Sequence, residues 1–97
     1  MKKITWSVDA EYDYEENIDY LLREWSFHDA EKFVTKVDDI IFNLKNGTVN
    51  YQSARFKGIN KSVVCKQITL YYREKGQNEI ELVRFWNTYK DDKKLKL

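Results

Sequence analysis

"KSVVCKQITLYYREKGQNEIELVRFW", Lys61 to Trp86, holds three strand-like runs in succession. Lys61-Ser62-Val63-Val64-Cys65 is the first, Ile68 to Arg73 the second and Glu79 to Trp86 the third. All three are rich in the β-branched and aromatic side chains that suit a pleated, half-buried surface. Lys66-Gln67 leaves only a tight turn between the first two. Lys75-Gly76-Gln77-Asn78 gives the glycine-containing signal of a hairpin between the last two. The reading is a three-stranded antiparallel meander. The chain contains no proline, so nothing ends these runs early.

Upstream the period changes from two to that of a helix. Lys2 to Trp6 alternates at Ile4 and Trp6 and reads as a first strand. Ser7 is a good N-cap, with Asp9 in the first turn where the helix dipole favours acid. Ala10, Tyr14, Ile18, Leu21, Leu22 and Trp25 then fall at helical spacing. Glu11, Asp13, Glu15, Glu16, Asp19 and Glu24 form what reads as a solvated acidic back. Ser26 interrupts this helix and opens another, with Asp29 at capping-box spacing. Ala30, Phe33, Val34, Val37, Ile40, Ile41 and Leu44 make one apolar stripe, and Asn46-Gly47 ends it. Two helices joined so closely fold back as an antiparallel hairpin. Thr48 to Lys57 follows neither period and reads as a loop.

One packing buries both apolar surfaces. The helical hairpin lies on one face of the sheet, in an α+β fold of two layers, and leaves the other face open. Trp6 and Trp25 are expected to anchor the core. The charge is unevenly divided: residues 1–49 carry 6 Lys/Arg against 11 Asp/Glu, and residues 50–97 carry 11 against 5. That is −5 followed by +6, an acidic helical layer and a basic sheet layer. A basic open face suits a polyanion or an acidic protein partner.

With 97 residues the chain is expected to form a single domain, 1–97. Nothing in it approaches the ~20 apolar residues of a membrane span, and acid follows the initial lysines where a leader would be apolar. The expected location is the cytoplasm, with no membrane partner. Cys65 is the only cysteine and His28 the only histidine. An internal disulfide and a Cys- or His-pair metal site are therefore excluded within one chain, and no metal or cofactor is expected.

The order of these pieces carries a resemblance. Trp6-Ser7 precedes an acidic helix and Trp25 stands at its end. Lys61 leads Val63-Val64. Leu70-Tyr71-Tyr72-Arg73 and Leu82-Val83-Arg84-Phe85-Trp86 follow, and Lys93-Lys94-Leu95 comes after them. Spanning nearly the whole chain, this set resembles the RelE/ParE superfamily of bacterial type II toxins. The resemblance implies the fold described above and a cognate antitoxin as partner. It also implies one of two targets: the ribosome with its mRNA, which RelE-like toxins cleave, or DNA gyrase, which ParE-like toxins block. A non-catalytic binding module that keeps the fold is the alternative from another class, and a general RNA-binding protein is a third.

Metal-free RNA cleavage needs a base for the 2′-hydroxyl, an acid for the leaving oxygen and cations for the phosphate. In RelE-like enzymes Lys, Arg and Tyr supply these. The resemblance therefore makes Lys61, Arg73, Arg84 and Tyr89 the catalytic candidates. Arg55, Lys57, Lys66, Trp86, Lys90, Lys93 and Lys94 are the candidates for contact with nucleic acid or target. Two positions depart from the nuclease pattern: Thr69 stands where an arginine precedes the Leu-x-Tyr of the strand, and Tyr89 where an arginine usually follows the Arg-Phe-Trp strand. Alternation places Arg84 beside Leu82 and Trp86. It lies on the open face if Val83 and Phe85 meet the helices, or it pairs with Glu74, Glu79 or Glu81. Tyr71 and Arg73 share a side. The tail, with Tyr89, Lys90, Lys93 and Lys94, reads as a mobile cationic lip past the sheet edge, and Leu95 and Leu97 as docking residues.

Overall fold

The computed structural model describes residues 1–48 and 51–97. Val49 and Asn50, within the expected loop, lie outside the described residues. The elements run β1 Lys3–Trp6, α1 Val8–Glu24, α2 Phe27–Asn46, β2 Gln52–Ser53, β3 Asn60–Cys65, β4 Ile68–Lys75, β5 Glu79–Asn87 and a short 3-10 turn Asp92–Lys94. Among the described residues no helix is long and apolar enough to cross a membrane.

The helix caps form as their residues dictate. Ser7 Oγ accepts from the N–H of Ala10 at 2.9 Å, and Ser26 Oγ accepts from that of Asp29 at 3.0 Å. Gly47, at φ 67°, lets the chain leave α2 in the left-handed region. Thr48 N–H then reaches back to the carbonyl of Asn43 at 3.1 Å, closing the helix end.

The sheet differs from the expected meander in two ways. Among the described residues it has five strands in the order β1-β5-β4-β3-β2. β1 joins β5 in parallel, Ile4 opposite Ile80 and Trp6 opposite Leu82, so the sheet is mixed. The expected loop contains β2, which pairs antiparallel with Asn60 and Lys61. Two residues are too few for a period to show, which is why the sequence reads as loop there. The meander itself is present, β3 against β4 and β4 against β5, all antiparallel.

Both helices bury their stripes on one sheet face. Leu21, Phe33, Val37 and Leu44 meet Ile68, Leu70, Tyr72, Ile80, Leu82 and Phe85 in one core cluster. Trp6 and Tyr14 pack against it as an aromatic group with Phe33 and Phe85, the Trp6 and Tyr14 rings edge to face at 5.2 Å. Trp25, expected in this core, is instead 43% exposed at the end of α1.

β5 breaks its own alternation. Ile80 and Leu82 face the core, yet the next core residue is Phe85. A bulge causes this: Tyr72 pairs with Leu82 while Tyr71 pairs with Arg84, so an extra residue is taken up at Val83. A bulge shifts the parity of everything after it. Arg84 therefore does not share a face with Leu82.

Candidate functional site

Beyond the bulge, the face turned away from the helices carries a row of side chains across three strands. Lys61 on β3 is opposite Tyr71 on β4, which is opposite Arg84 on β5. Arg73 lies two residues along β4 from Tyr71, as its shared side requires. Lys61, Arg73 and Arg84 are thus brought to one face, with Tyr71 in their midst. Tyr71, which the sequence did not single out, has a phenol pushed up by burial and by the nearby Asp92 acid, with Arg55 opposing.

Two of those cations are already engaged. Arg84 turns over the edge of β5 to α1, where Nε and Nη2 donate to the Asp13 carboxylate at 2.6 and 3.0 Å. The pair is a two-pronged one, a strong and directional form of contact. The bond to Asp13 raises the Arg84 pKa above its ordinary value. The partner is neither phosphate nor any of the sheet glutamates, and Asp13 is buried rather than on a solvated back. Arg73 Nε donates to Glu81 at 2.7 Å, and Lys75 shares that carboxylate at 3.4 Å. Lys57, Lys61, Lys66, Lys90, Lys93 and Lys94 make no ion pair among the described residues.

The face is also partly covered. Thr69 and Trp86, opposite one another, are 7% and 5% exposed. The tail is not a lip past the sheet edge but folds back. Asp91 caps its 3-10 turn by accepting from Lys93 N–H at 3.0 Å, and Leu95 is 2% exposed. Leu97 remains partly exposed. Arg55 Nη2 donates to the Asp92 carbonyl at 3.0 Å while its guanidinium lies 4.3 Å from the centre of the Phe56 ring. Phe56 in turn meets Tyr71 edge to face at 6.5 Å. Loop, tail and sheet are tied together there. Lys57, Lys93 and Lys94 stay exposed around this knot.

Tyr89 goes elsewhere. It sits in the turn after β5, 55% exposed, with its ring 6.2 Å from Trp25. Lys66 Nζ lies over that same Trp25 ring at 5.9 Å. Trp86 carries both the Arg84 guanidinium at 5.3 Å and the Lys90 ammonium at 5.7 Å over its ring. Being buried, Trp86 serves as an internal plate for cations and not as an open stacking surface.

Asp13 and Asn17 are the residues that the sequence reading missed. They follow Ala10 and precede Leu21 on the buried side of α1, at intervals of three, four and four. The helical period places two polar residues in a core-facing stripe, and that is the signal.

No protein-family model matches the sequence, and no curated protein matches it either. Solved structures do. A chain of the chromosomal ParDE TA system from P. aeruginosa superposes with a TM-score of 0.71 at 18% identity, covering 90% of this chain and 96% of that one. The fold is that of the RelE/ParE toxins. The YoeB/ParE toxin from Agrobacterium tumefaciens matches at TM-score 0.65 and 19% identity, covering 90% and 99% of the two chains. The E. coli DinJ–YafQ complex contains a chain that matches at 0.61 and 13%, covering 92% and 96%. This chain shares that architecture over about nine-tenths of its length.

Proposed function

We propose that this chain is the toxin of a type II toxin–antitoxin pair, neutralised by a cognate antitoxin, and that it acts by occupying its target rather than by cutting RNA. The fold supports the first half, together with the presence among the matching structures of a toxin–antitoxin complex, DinJ–YafQ of E. coli. The observation that carries the second half is the Arg84–Asp13 pair. A nuclease site needs its arginine free to meet the crowded phosphate. Here the guanidinium best placed for it is held by a carboxylate, and Arg73 is held by another. Tyr71, raised by burial, is a poor base, and Tyr89 packs on Trp25. The target of the ParE branch, DNA gyrase, fits a protein that binds without chemistry. Lys61, Lys57, Lys93 and Lys94 would supply the cationic contact and Tyr71 the aromatic one.

Induction in cells without antitoxin tests this, with primer extension on a reporter transcript beside a supercoiling assay on purified gyrase. The expected result is arrested growth, intact transcripts and inhibited supercoiling. A cut transcript with normal supercoiling overturns the binding mechanism. Unimpaired growth overturns toxicity itself and leaves a binding module on a toxin fold.

A further inference from the structure

We propose that one end of the molecule, where the α1–α2 junction meets the β3–β4 turn and the turn after β5, is a second contact surface. It stacks bases of single-stranded nucleic acid on Trp25 and Tyr89 while Lys66 meets the adjoining phosphate. This goes beyond the function proposed above and does not depend on the sheet face.

Three observations converge on it. Trp25 and Tyr89 are large aromatics left 43% and 55% exposed although they touch each other, with centroids 6.2 Å apart and planes at 43°. Lys66 Nζ stands over the Trp25 ring, 5.9 Å from its centre, so the aromatic surface already has a cation against it, one that a flexible side chain can move to an adjoining phosphate. The parts are also held rigidly. Trp25 Nε1 donates to Tyr20 Oη at 3.1 Å, which fixes the indole orientation. Tyr89 N–H is bound by Asn87 Oδ1 at 2.9 Å, and Asn87 is itself buried. Thr88 joins the two turns, its N–H donating to the Gln67 carbonyl at 2.7 Å and its hydroxyl to the same oxygen at 3.1 Å.

Exposed rings beside a lysine are what a sequence-tolerant single strand requires, since every base has a stackable face and every linkage a charge. The angle between the planes prevents a base from sliding between the two rings. Each ring therefore offers its outward face, and successive bases follow the bend. Lys90, next to Tyr89 and exposed, adds a second cation. Of the acids nearby, Glu24 is met by Arg23 at 3.6 Å, Asp29 accepts from the Ser26 hydroxyl at 2.8 Å and keeps its charge, and Glu31 and Asp39 share a pocket with Lys66, Lys32 and Lys36, where the cations outnumber them. A protein partner would find a more apolar seat in the groove between the helices lined by Ile18, Leu22, Phe27 and Val34. The lysines favour the polyanion here.

The molecule contains its own reporter. Trp86 is buried and Trp6 packs against the core, so Trp25 is the exposed indole among the described residues. The full chain is titrated at low salt with oligo-U, oligo-dT and a duplex of the same length, following tryptophan emission, with labelled oligonucleotide anisotropy for the variants. Quenching by the single strands is expected, with weaker binding of the duplex, whose bases are already stacked. Tyr89→Ala and Trp25→Leu should each weaken binding roughly 5- to 100-fold. Lys66→Gln should lower the salt slope by about 0.7, while Lys45→Gln, exposed in the last turn of α2 and far from the junction, leaves all of this unchanged. Tighter oligo-U binding assigns RNA and tighter oligo-dT binding assigns DNA; both uphold the surface. It is overturned if the single strands do not quench, if the duplex binds equally well, or if both aromatic variants with native circular dichroism bind like the parent chain.

Discussion

The backbone N–H of Phe85 is held not by a neighbouring strand but by the carboxylate of Asp13 on α1, at 3.1 Å. β1 stops at Trp6, opposite Leu82, so beyond it, among the described residues, β5 runs on with no strand along that edge. Polar groups of the first helix and its cap take the strand's place. Ser7 N–H donates to the Leu82 carbonyl at 2.9 Å and Ser7 Oγ to the Val83 carbonyl at 2.7 Å. Asn17 Nδ2 donates to the Phe85 carbonyl at 2.9 Å. Buried backbone groups must be paired somewhere, and a helix carrying Ser, Asp and Asn at the right spacing does it here.

Asp13→Ala therefore removes more than an ion pair. It leaves Phe85 N–H buried without an acceptor and Arg84 without its carboxylate. Breaking a buried pair costs several kcal/mol, and Arg84, 23% exposed, recovers some water. The expected loss is on the order of 3 kcal/mol by denaturant unfolding. Adding Arg84→Met to Asp13→Ala should cost less than the two single losses together. Strict additivity would show that the two side chains are not coupled.

Leu95 tests whether the tail is part of the fold. It is buried but stands apart from the helix-side core cluster, on a segment tied to Arg55 through the Asp92 carbonyl. Leu95→Ala should cost about 2–4 kcal/mol if the seat cannot collapse, with Leu97→Ala near neutral as an exposed control. Equal midpoints for the parent and Leu95→Ala would mean that the tail is unattached in solution.

Much of this fold was legible from period and punctuation. The two helices, their Ser caps, the Gly47 stop and the three-strand meander all follow from spacing, because each is local. What was not legible depends on contacts between distant segments. β2 is two residues long and exists only because Asn60 and Lys61 offer it an edge. The bulge at Val83 lies next to where α1 reaches the Phe85 N–H, and simple alternation, which has no bulge in it, puts Arg84 on the same face as Leu82. Trp25 was read as core because its position continues the apolar stripe, but the helix ends there and the ring is left outside. Of the candidate site, Lys61, Arg73 and Arg84 follow from the strand pattern, whereas Tyr71 between them and the carboxylates that hold the two arginines do not. Asp13 looks like any surface acid until the strand it caps is in place.

Gly47 offers a cleaner measurement. A Cβ built there meets nothing within 4 Å, so substitution is opposed by the backbone conformation, φ 67°, and not by crowding. Gly47→Ala should cost about 1 kcal/mol, and Gly47→Asn less, since asparagine tolerates the left-handed region. If alanine and asparagine gave the same loss, backbone conformation would not be the cause.

Tyr72 makes stability depend on alkaline pH. Its side chain is 1% exposed, and burial is the main reason that its phenol is pushed up from 10.0 to about 12. The unfolded chain ionises this group first as pH rises, so it releases the proton while the folded chain keeps it. Stability contributed this way is fully present below pH 10 and is lost as pH rises from about 10 towards 12. The full difference corresponds to about 2–3 kcal/mol. Chemical denaturation at a series of pH values should show the parent chain losing stability in that window. Tyr72→Phe keeps the ring and removes the proton, so its profile should be flatter by that amount, the remaining slope coming from other groups such as Tyr14 and Tyr71, both also raised by burial. Parallel profiles for the two proteins would place the Tyr72 hydroxyl in water and contradict its burial under the helices.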